Sequence, residues 1–490
     1  MVAVNVRTYH PDVRVTLYKT VTRTTLDGST SVNGRLGKQG QAIDLTRHLG
    51  ETGGVQVSKS RSAPAGAFAI TLADLPYAAA GGFDSFYGVI EPMDMIEIRM
   101  QHGPGGAAPP VIMRGFVGEV RRTETMGADG RPHRSVTITG QDYGKLWQMM
   151  RVVFFVNYIT GQYMLDGFAL FDKFGVGAIT AETGSAFVLE VLSKIINPYL
   201  ANIVQGTSAM PSTISMDGSA LPAGMTSLTG PQNQEGSIYD ILRNYLDVGA
   251  WNELFIEDRA DGPWLVYRPL PFFDVNGNLI QAGAPLLTPV QVPIEDVVSM
   301  VVSRSDADVA NYFWVNAPRF DINSGFWEKA WAIPTQGQTM STATYQNSNV
   351  ALYGIRLMQL DSQMGWSDVT NFSSGLPSAE KSIRDTSMAN WINQRRQVLI
   401  DNNKDNVLFE RGSIRLRGNE TIRAGAYIQI VRGDMAPIYY VDDVTHDYVP
   451  FQGFWTTVNV QRGTGFIERV KRAGGAASPY TSELEAATNG

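Results

Sequence analysis

The five histidines, at positions 10, 48, 102, 133 and 446, are the scarcest groups able to act as a general base or a metal ligand, and they are far apart. No His-Glu-x-x-His, His-x-His, Gly-x-Ser-x-Gly or Gly-x-x-x-x-Gly-Lys-Ser/Thr occurs, so the local signatures of a zinc protease, a serine hydrolase and a P-loop are missing. Zero cysteines removes disulfides, thiolate metal sites and cysteine nucleophiles. His446 lies in a strand-like segment and reads as a packed or hydrogen-bonded structural group. Asp274-x-Asn276-Gly277-Asn278 resembles a calcium loop only in part, because the glycine is out of place and Pro285 stands where the last ligand should be, so it reads as a turn. Gly175-x-Gly177 lacks the third glycine of a dinucleotide loop and follows no clear strand. Asp442 and Asp443 are adjacent on a strand, so they point to opposite faces and would not share a glycosidase site. The expectation is a chain with no catalytic residue, no metal site and no cofactor.

The aromatic residues Phe154, Phe155, Tyr158, Tyr163, Phe168 and Phe171, followed by Phe174, could bind a sugar or a lipid. Their surroundings favour a different use. Residues 158–235 hold only eight charged side chains, and a surface so poor in charge is usually covered. The run therefore reads as core or as a protein–protein interface, and its members are the interface candidates.

The elements that would position these groups follow from length and composition. A chain of 490 residues and 53.6 kDa should hold several structural units. Hydrophobic residues at 43% and charged residues at 18% make it globular, and 49 glycines with 24 prolines lean toward short strands joined by turns. A net charge of −7 with no acidic block favours neither nucleic-acid backbone binding nor attraction to anionic membranes. The first 62 residues carry nine Lys or Arg against four Asp or Glu. That basicity is scattered through Arg7, Arg14, Lys19 and Arg23 and reads as a solvated or subunit-facing surface. The N-terminus shows no signal-peptide pattern, and the most apolar stretches, 152–156 and 297–302, fall far short of the ~20 residues of a membrane span. The expected compartment is a cytoplasm.

Alternation predicts strands at 13–18, 66–72, 95–100 and 136–139, with a hairpin over 116–139 turning at Gly127-Ala128-Asp129-Gly130. Asp142 reads as the N-cap of a short segment, 143–150. Residues 187–196 are apolar nearly all round and should form a buried helix that stops at Asn197-Pro198. Ser237-x-x-Asp240 is a capping signature before an amphipathic helix that Gly249 follows. A hairpin, 253–257 and 264–267, comes next. A helix over about 379–401 presents Ile383, Met388, Trp391, Ile392, Val398 and Leu399, and residues 473–490 form an Ala/Gly/Ser-rich tail.

The late strands echo the early ones. Residues 93–99 match 425–431 in alternation, 115–120 match 439–444, and 136–138 match 458–460. The spacing between the first two blocks differs by eight residues, which fall in the Gly/Pro/Ala loop 102–110. Two copies of one antiparallel β-unit separated by an insert are the simplest account.

On these residues the chain resembles a known family. Met93-Asp94 with its strand, Arg114-Gly115-Phe116-Val117-Gly118-Glu119-Val120 and Val136-Thr137-Ile138-Thr139-Gly140-Gln141-Asp142 look like the first tube domain of phage late control D and baseplate hub proteins. The stretch 303–315 is similar to the entry of the second tube domain. Arg417-Gly418-Asn419-Glu420, Arg423-Ala424-Gly425, the stretch 440–446 and the stretch 454–460 look like its closing strands. The hub part of type VI secretion VgrG spikes is related, and its β-helical needle has no counterpart here.

The resemblance implies a β-rich α+β fold: two similar antiparallel β-barrel tube domains, an α/β insert between them and one further helix before the second barrel's closing strands. The implied divisions are 1–150, 151–290 and 291–470, with a flexible tail at 471–490. The implied function is that of a non-enzymatic baseplate hub, a homotrimer joining a hexameric tail tube ring to a trimeric spike. Tape measure and other baseplate proteins are further implied partners, and DNA only passes through the lumen. The protein would reside in the virion after assembly in the host cytoplasm, without stable membrane insertion. A cell-wall hydrolase, a carbohydrate-binding tail protein and the hub of a secretion spike are the competing readings.

Overall fold

The computed structural model describes residues 10–20, 40–50, 53–74, 85–103, 108–126, 130, 132–152, 182–204, 210–226, 236–316, 346–366 and 377–473. Its main sheet has thirteen strands. Those from the first part of the chain are β1 (Asp12–Tyr18), β2 (Ala42–Asp44), β3 (Gly54–Ser60), β4 (Ala67–Ala73), β5 (Met95–Gln101), β6 (Val111–Met126) and β7 (Pro132–Asp142). Those from the last part are β8 (Val290–Pro293), β9 (Val297–Ser303), β10 (Glu410–Arg417), β11 (Tyr427–Val431), β12 (Ile438–Val449) and β13 (Gly453–Gly463). The order is β9-β10-β13-β12-β3-β4-β7-β6-β5-β1-β2, with β11 also on β12 and β8 on β11. Within this sheet, only the β8–β11 pair is parallel among the described residues. The path is open at β9 and β2, and no pairing among the described residues closes it into a barrel.

The two halves repeat the same order of strand pairing. In the first, β5 pairs with the opening of β6, β6 with β7, β7 with β4 and β4 with β3. In the second, β11 pairs with β12, β12 with β13, β13 with β10 and β10 with β9. A β-bulge falls at the same place in each, between Val117 and Glu119 and between Val441 and Asp443. Ahead of it, Val117 takes a hydrogen bond from the Met93 N–H and gives one to the Asp94 carbonyl. Val441 does the same with Gly425 and Ala426. Met93 and Gly425 share a left-handed φ, 72° and 74°. Glycine adopts it freely, whereas methionine is strained there and has to be held by its surroundings.

The sequence matches Ile96 with Ile428, Val117 with Val441 and Val120 with Val444 hold in this register. The last match is corrected. Val120 faces Ile138 and Val444 faces Val458, so Ile138 and not Val136 is the counterpart of Val458. A slip of two residues leaves every side chain on its own face, which is why alternation alone missed it.

Alternation buries one face of each half. Val15, Val57, Ile70, Ile98, Val117 and Ile138 build the first core, and Ile414, Leu416, Ile428, Val441, Val444 and Val458 the second. Phe454 breaks this division. It belongs to β13, yet its fully buried ring joins the first core. Gly418 makes room for it, since a Cβ there would lie 2.1 Å from the ring.

After β7 comes the short helix α1 (Lys145–Met149), and the insert adds α2 (Gly184–Val191), α3 (Asn197–Ile203) and α4 (Ile238–Tyr245), with a hairpin of Asn252–Arg259 and Gly262–Pro269. The capping box of Ser237 and Asp240 opens α4 as the sequence predicts. Two other expectations are corrected. Asp142 ends β7, and α1 begins only at Lys145 with Gly144 as its N-cap. The buried helix does not stop at Asn197-Pro198, because a π-helical turn, Leu192–Ile196, leads into α3. Pro198 sits in the first turn of α3, where its missing N–H is not needed. Gly184–Ile203 is 20 residues with mean hydropathy 1.2, long and apolar enough to cross a membrane by length and composition. Ser193, Lys194 and Asn197 interrupt that run in the sequence; in the fold Phe187, Val188, Ile196 and Leu200 pack into the insert's core.

The long helix appears as α5 (Ser378–Asn403), and α6 (Gly465–Ala473) follows β13. On α5, Met388, Trp391, Ile392 and Leu399 are buried as the amphipathic reading expects, but Ile383 is exposed and Arg384, Arg395 and Arg396 are buried, which it did not foresee. Turn residues 127–129 and tail residues 474–490 lie outside the described residues. Replacing Phe454 by Ala should cost ~3–5 kcal/mol, as for other buried aromatic rings. Urea unfolding followed by tryptophan fluorescence measures this, and a loss under about 1 kcal/mol would contradict the packing described.

Candidate assembly interface

The halves join where β12 lies antiparallel to β3, with Thr445 opposite Ser58, His446 opposite Val57 and Asp447 opposite Gln56. The hydroxyls of Thr445 and Ser58 are 3.3 Å apart. One residue past β3, Arg61 extends the ladder. Its N–H donates to the Asp442 carbonyl at 3.0 Å and its Nε to Asp442 Oδ1 at 2.5 Å. The guanidinium carbon lies 5.3 Å from the centre of the Tyr440 ring.

Buried charge binds the insert to this junction. Lys59 Nζ sits between Asp142 Oδ2 at 2.6 Å and Asp258 Oδ2 at 2.7 Å, linking β3, the end of β7 and the insert hairpin. Burial pulls the Lys59 pKa down, but the two carboxylates more than reverse this, so it is raised and the ammonium stays charged. Arg114 of β6 donates to Glu97 Oε2 and to the Arg259 carbonyl, both at 3.0 Å. Glu253 accepts from the Tyr440 hydroxyl at 2.5 Å and from Arg268 Nε at 2.6 Å. His446 is 1% exposed, with Nδ1 3.1 Å from Thr456 Oγ1. Burial, reinforced by the charge of Arg423, holds its pKa down to about 3.

This arrangement spends its charges on joining strands. Asp442 accepts from Arg61 and from Gln461 Nε2, while Asp443 accepts from Asn459 Nδ2. Asp274 Oδ1 accepts from the N–H groups of Asn276 and Asn278, the bonding of a turn. No group of His, Asp and Glu among the described residues could hold a metal ion.

Besides β2, which pairs only with β1, and β8, which pairs only with β11, two longer strand edges are open among the described residues. β9 pairs only with β10, and Val298 and Val301 on it are 50% and 72% exposed. β6 beyond the bulge, from Glu119 to Met126, pairs only with β7. β9 is rich in β-branched residues and has no proline or lysine, and its one bulge lies at the start, between Val297 and Ser299, so residues 300–303 present a regular edge open to pairing.

Phe154, Phe155, Tyr158, Tyr163, Phe168 and Phe171 lie outside the described residues, as does Gly175-x-Gly177. Of the residues that do meet, Lys59, Arg61 and Asp258 were not singled out from the sequence, and Asp442 was weighed there only as half of a carboxylate pair. Lys59-Ser60-Arg61 at the end of an alternating strand is the one local signal. The reading of the early basic residues as surface is corrected for Lys19 and Lys59, which are buried in ion pairs, and for Arg61, which is partly buried against Asp442. Lys19 Nζ lies 2.5 Å from Asp94 Oδ2 and 2.7 Å from the Val89 carbonyl.

No family model and no curated protein matches the chain. Several solved structures are similar to it. A tail protein from Neisseria meningitidis MC58 is 10% identical with a TM-score of 0.45, covering 94% of this chain and 98% of that one. The 43 kDa tail protein of prophage MuSo2 from Shewanella oneidensis is 9% identical with a TM-score of 0.41, covering 94% and 98%. The E. coli c3393 protein, a component of the type VI secretion system, is 7% identical with a TM-score of 0.36, covering 83% and 72%. Likenesses at these identities and TM-scores assign no role to any residue here.

Two outcomes are expected. Lys59→Met leaves Asp142 and Asp258 facing each other without their cation and should cost about 3–5 kcal/mol in urea unfolding. His446 is held near 3 in the fold against 6.5 when free, so its contribution is present above pH 6.5 and lost as pH falls toward 3. That loss is about 1.4 kcal/mol for each pH unit, and His446→Gln should remove it. Unfolding midpoints at pH 7 and pH 4.5 measure it, and equal losses in parent and variant would contradict the neutral buried imidazole.

Proposed function

We propose that the chain is the structural hub of a phage tail baseplate, a homotrimer that joins a hexameric tail tube ring to a trimeric spike around a central channel. The observation that carries this reading is the repetition of β5, β6, β7, β4 and β3 by β11, β12, β13, β10 and β9, bulge and left-handed residue included. A sixfold partner offers six equal docking positions and a threefold partner offers three. A chain with two equivalent β-units meets both, because three copies present six units on one face and three chains on the other.

On this reading residues 1–150 and 291–470 are tube domains whose sheet curls round the channel and closes only in the assembly. Residues 151–290 form an insert on the outside, and 471–490 are the tail. Phe154, Phe155, Tyr158, Tyr163, Phe168 and Phe171 would be covered by spike or neighbouring baseplate proteins. The role is that of a scaffold, which the use of Lys59, Arg61, Asp258 and Asp442 in joining strands supports. DNA would pass through the lumen without a stable complex, and the protein would reside in the virion.

Light scattering coupled to size exclusion tests this. The expected particle is three times the 53.6 kDa chain, about 161 kDa. A chain that stays at the mass of one copy, alone and with a tail tube ring added, would overturn the reading.

A further inference from the structure

We propose that β9 of one copy pairs antiparallel with the outer half of β6 of the next copy, in the register that β3 keeps with β12 inside each chain. The inference rests on the trimeric reading above and names the contact by which the copies join.

The repeat supplies the register. Counting from the two bulges, Arg121 occupies the place of Thr445, Arg122 that of His446 and Thr123 that of Asp447. On the other side, Val57 pairs with Phe68 and Val302 with Gly412, which occupy the same place against β7 and β13. Val302 therefore stands for Val57, Val301 for Gln56 and Ser303 for Ser58. Each chain thus makes the β12–β3 contact once and carries both parts of a second such contact, the outer half of β6 and β9, unmade among the described residues. The parts lie at opposite ends of the repeat, so only another copy supplies the missing strand without bending the sheet back on itself.

Burial differs as this predicts. Val55 and Val57 are 1% and 0% exposed, while their counterparts Met300 and Val302 are only partly buried against the second core. Val444 is buried in the made junction, and its counterpart Val120 is half-buried against the first core. A strand laid on each free edge would finish both cores. The contact uses a different patch from each copy, so it is head-to-tail and ends in a ring or a filament.

The absence of native cysteines makes a clean test. Inside the chain the Arg61 N–H bonds the Asp442 carbonyl, and pairs in an antiparallel ladder alternate, so Gln56 and Asp447 form a non-hydrogen-bonded pair. Their counterparts are Val301 and Thr123, both exposed, whose Cα atoms would approach to about 4.5 Å between copies, near enough for a disulfide. The double variant Thr123→Cys with Val301→Cys should crosslink on mild oxidation into dimers and trimers and no further. The pair Thr123→Cys with Val302→Cys should link at least about tenfold less, because a one-residue slip turns the side chain to the other face. The mass of the unoxidised variant is measured alongside. A trimer that fails to crosslink, or one in which both pairs link equally, overturns the edge pairing and leaves the hub reading standing. A ladder that climbs past three supports the pairing and overturns the closed ring. A protein that neither associates nor links, alone and with a tail tube ring added, overturns both.

Discussion

Backbone pairing of β3 with β12 is the constraint from which the rest follows. An antiparallel ladder fixes direction, register and face at once, so joining these two strands lines up both halves of the chain in one sheet. The insert cannot choose its position independently after that. Its hairpin carries Asp258 and Glu253 to the back of the junction, where Lys59 and the Tyr440 hydroxyl take them up. Phe454 crosses from the second half into the first core at the same place.

Buried ion pairs of this kind add little net stability, because desolvating each charge offsets most of the attraction. Their effect is on what else can form. A one-residue slip of β3 against β12 would carry Lys59 away from both Asp142 and Asp258 and leave a buried ammonium and two buried carboxylates without this pairing. The same holds for Arg61 with Asp442. The seam therefore selects one register among those that alternation would tolerate, and an assembly that repeats the junction between copies needs that selectivity.

Much of this was legible in the chain itself. The repeat could be read from 93–99 against 425–431 and from 115–120 against 439–444, because a strand, a tight entry and a hairpin leave marks in alternation and spacing. Its last block slipped by two residues, since hydrophobic period carries no information about steps of two. The capping box at Ser237 was legible because its chemistry is local. The π-helical turn before Pro198 was not, since it depends on how the helix packs. Nor were the buried arginines of α5: Arg395 lies between Asp247 and the faces of Trp251 and Trp391, partners more than 140 residues away in two of three cases. The ion-pair seam has the same character, since Lys59 and Asp258 are remote in sequence and carry no motif.

The account turns on one claim, that the two halves of the chain are equivalent building blocks and that three chains place six of them round a channel. Electron cryomicroscopy of the assembled particle, reconstructed without imposed symmetry, tests it most directly. The account predicts a threefold ring with six similar β-lobes around a central channel, alternating between the first and second halves of the chain. A twofold particle, or a threefold one in which only one half of each chain lines the channel, would contradict it.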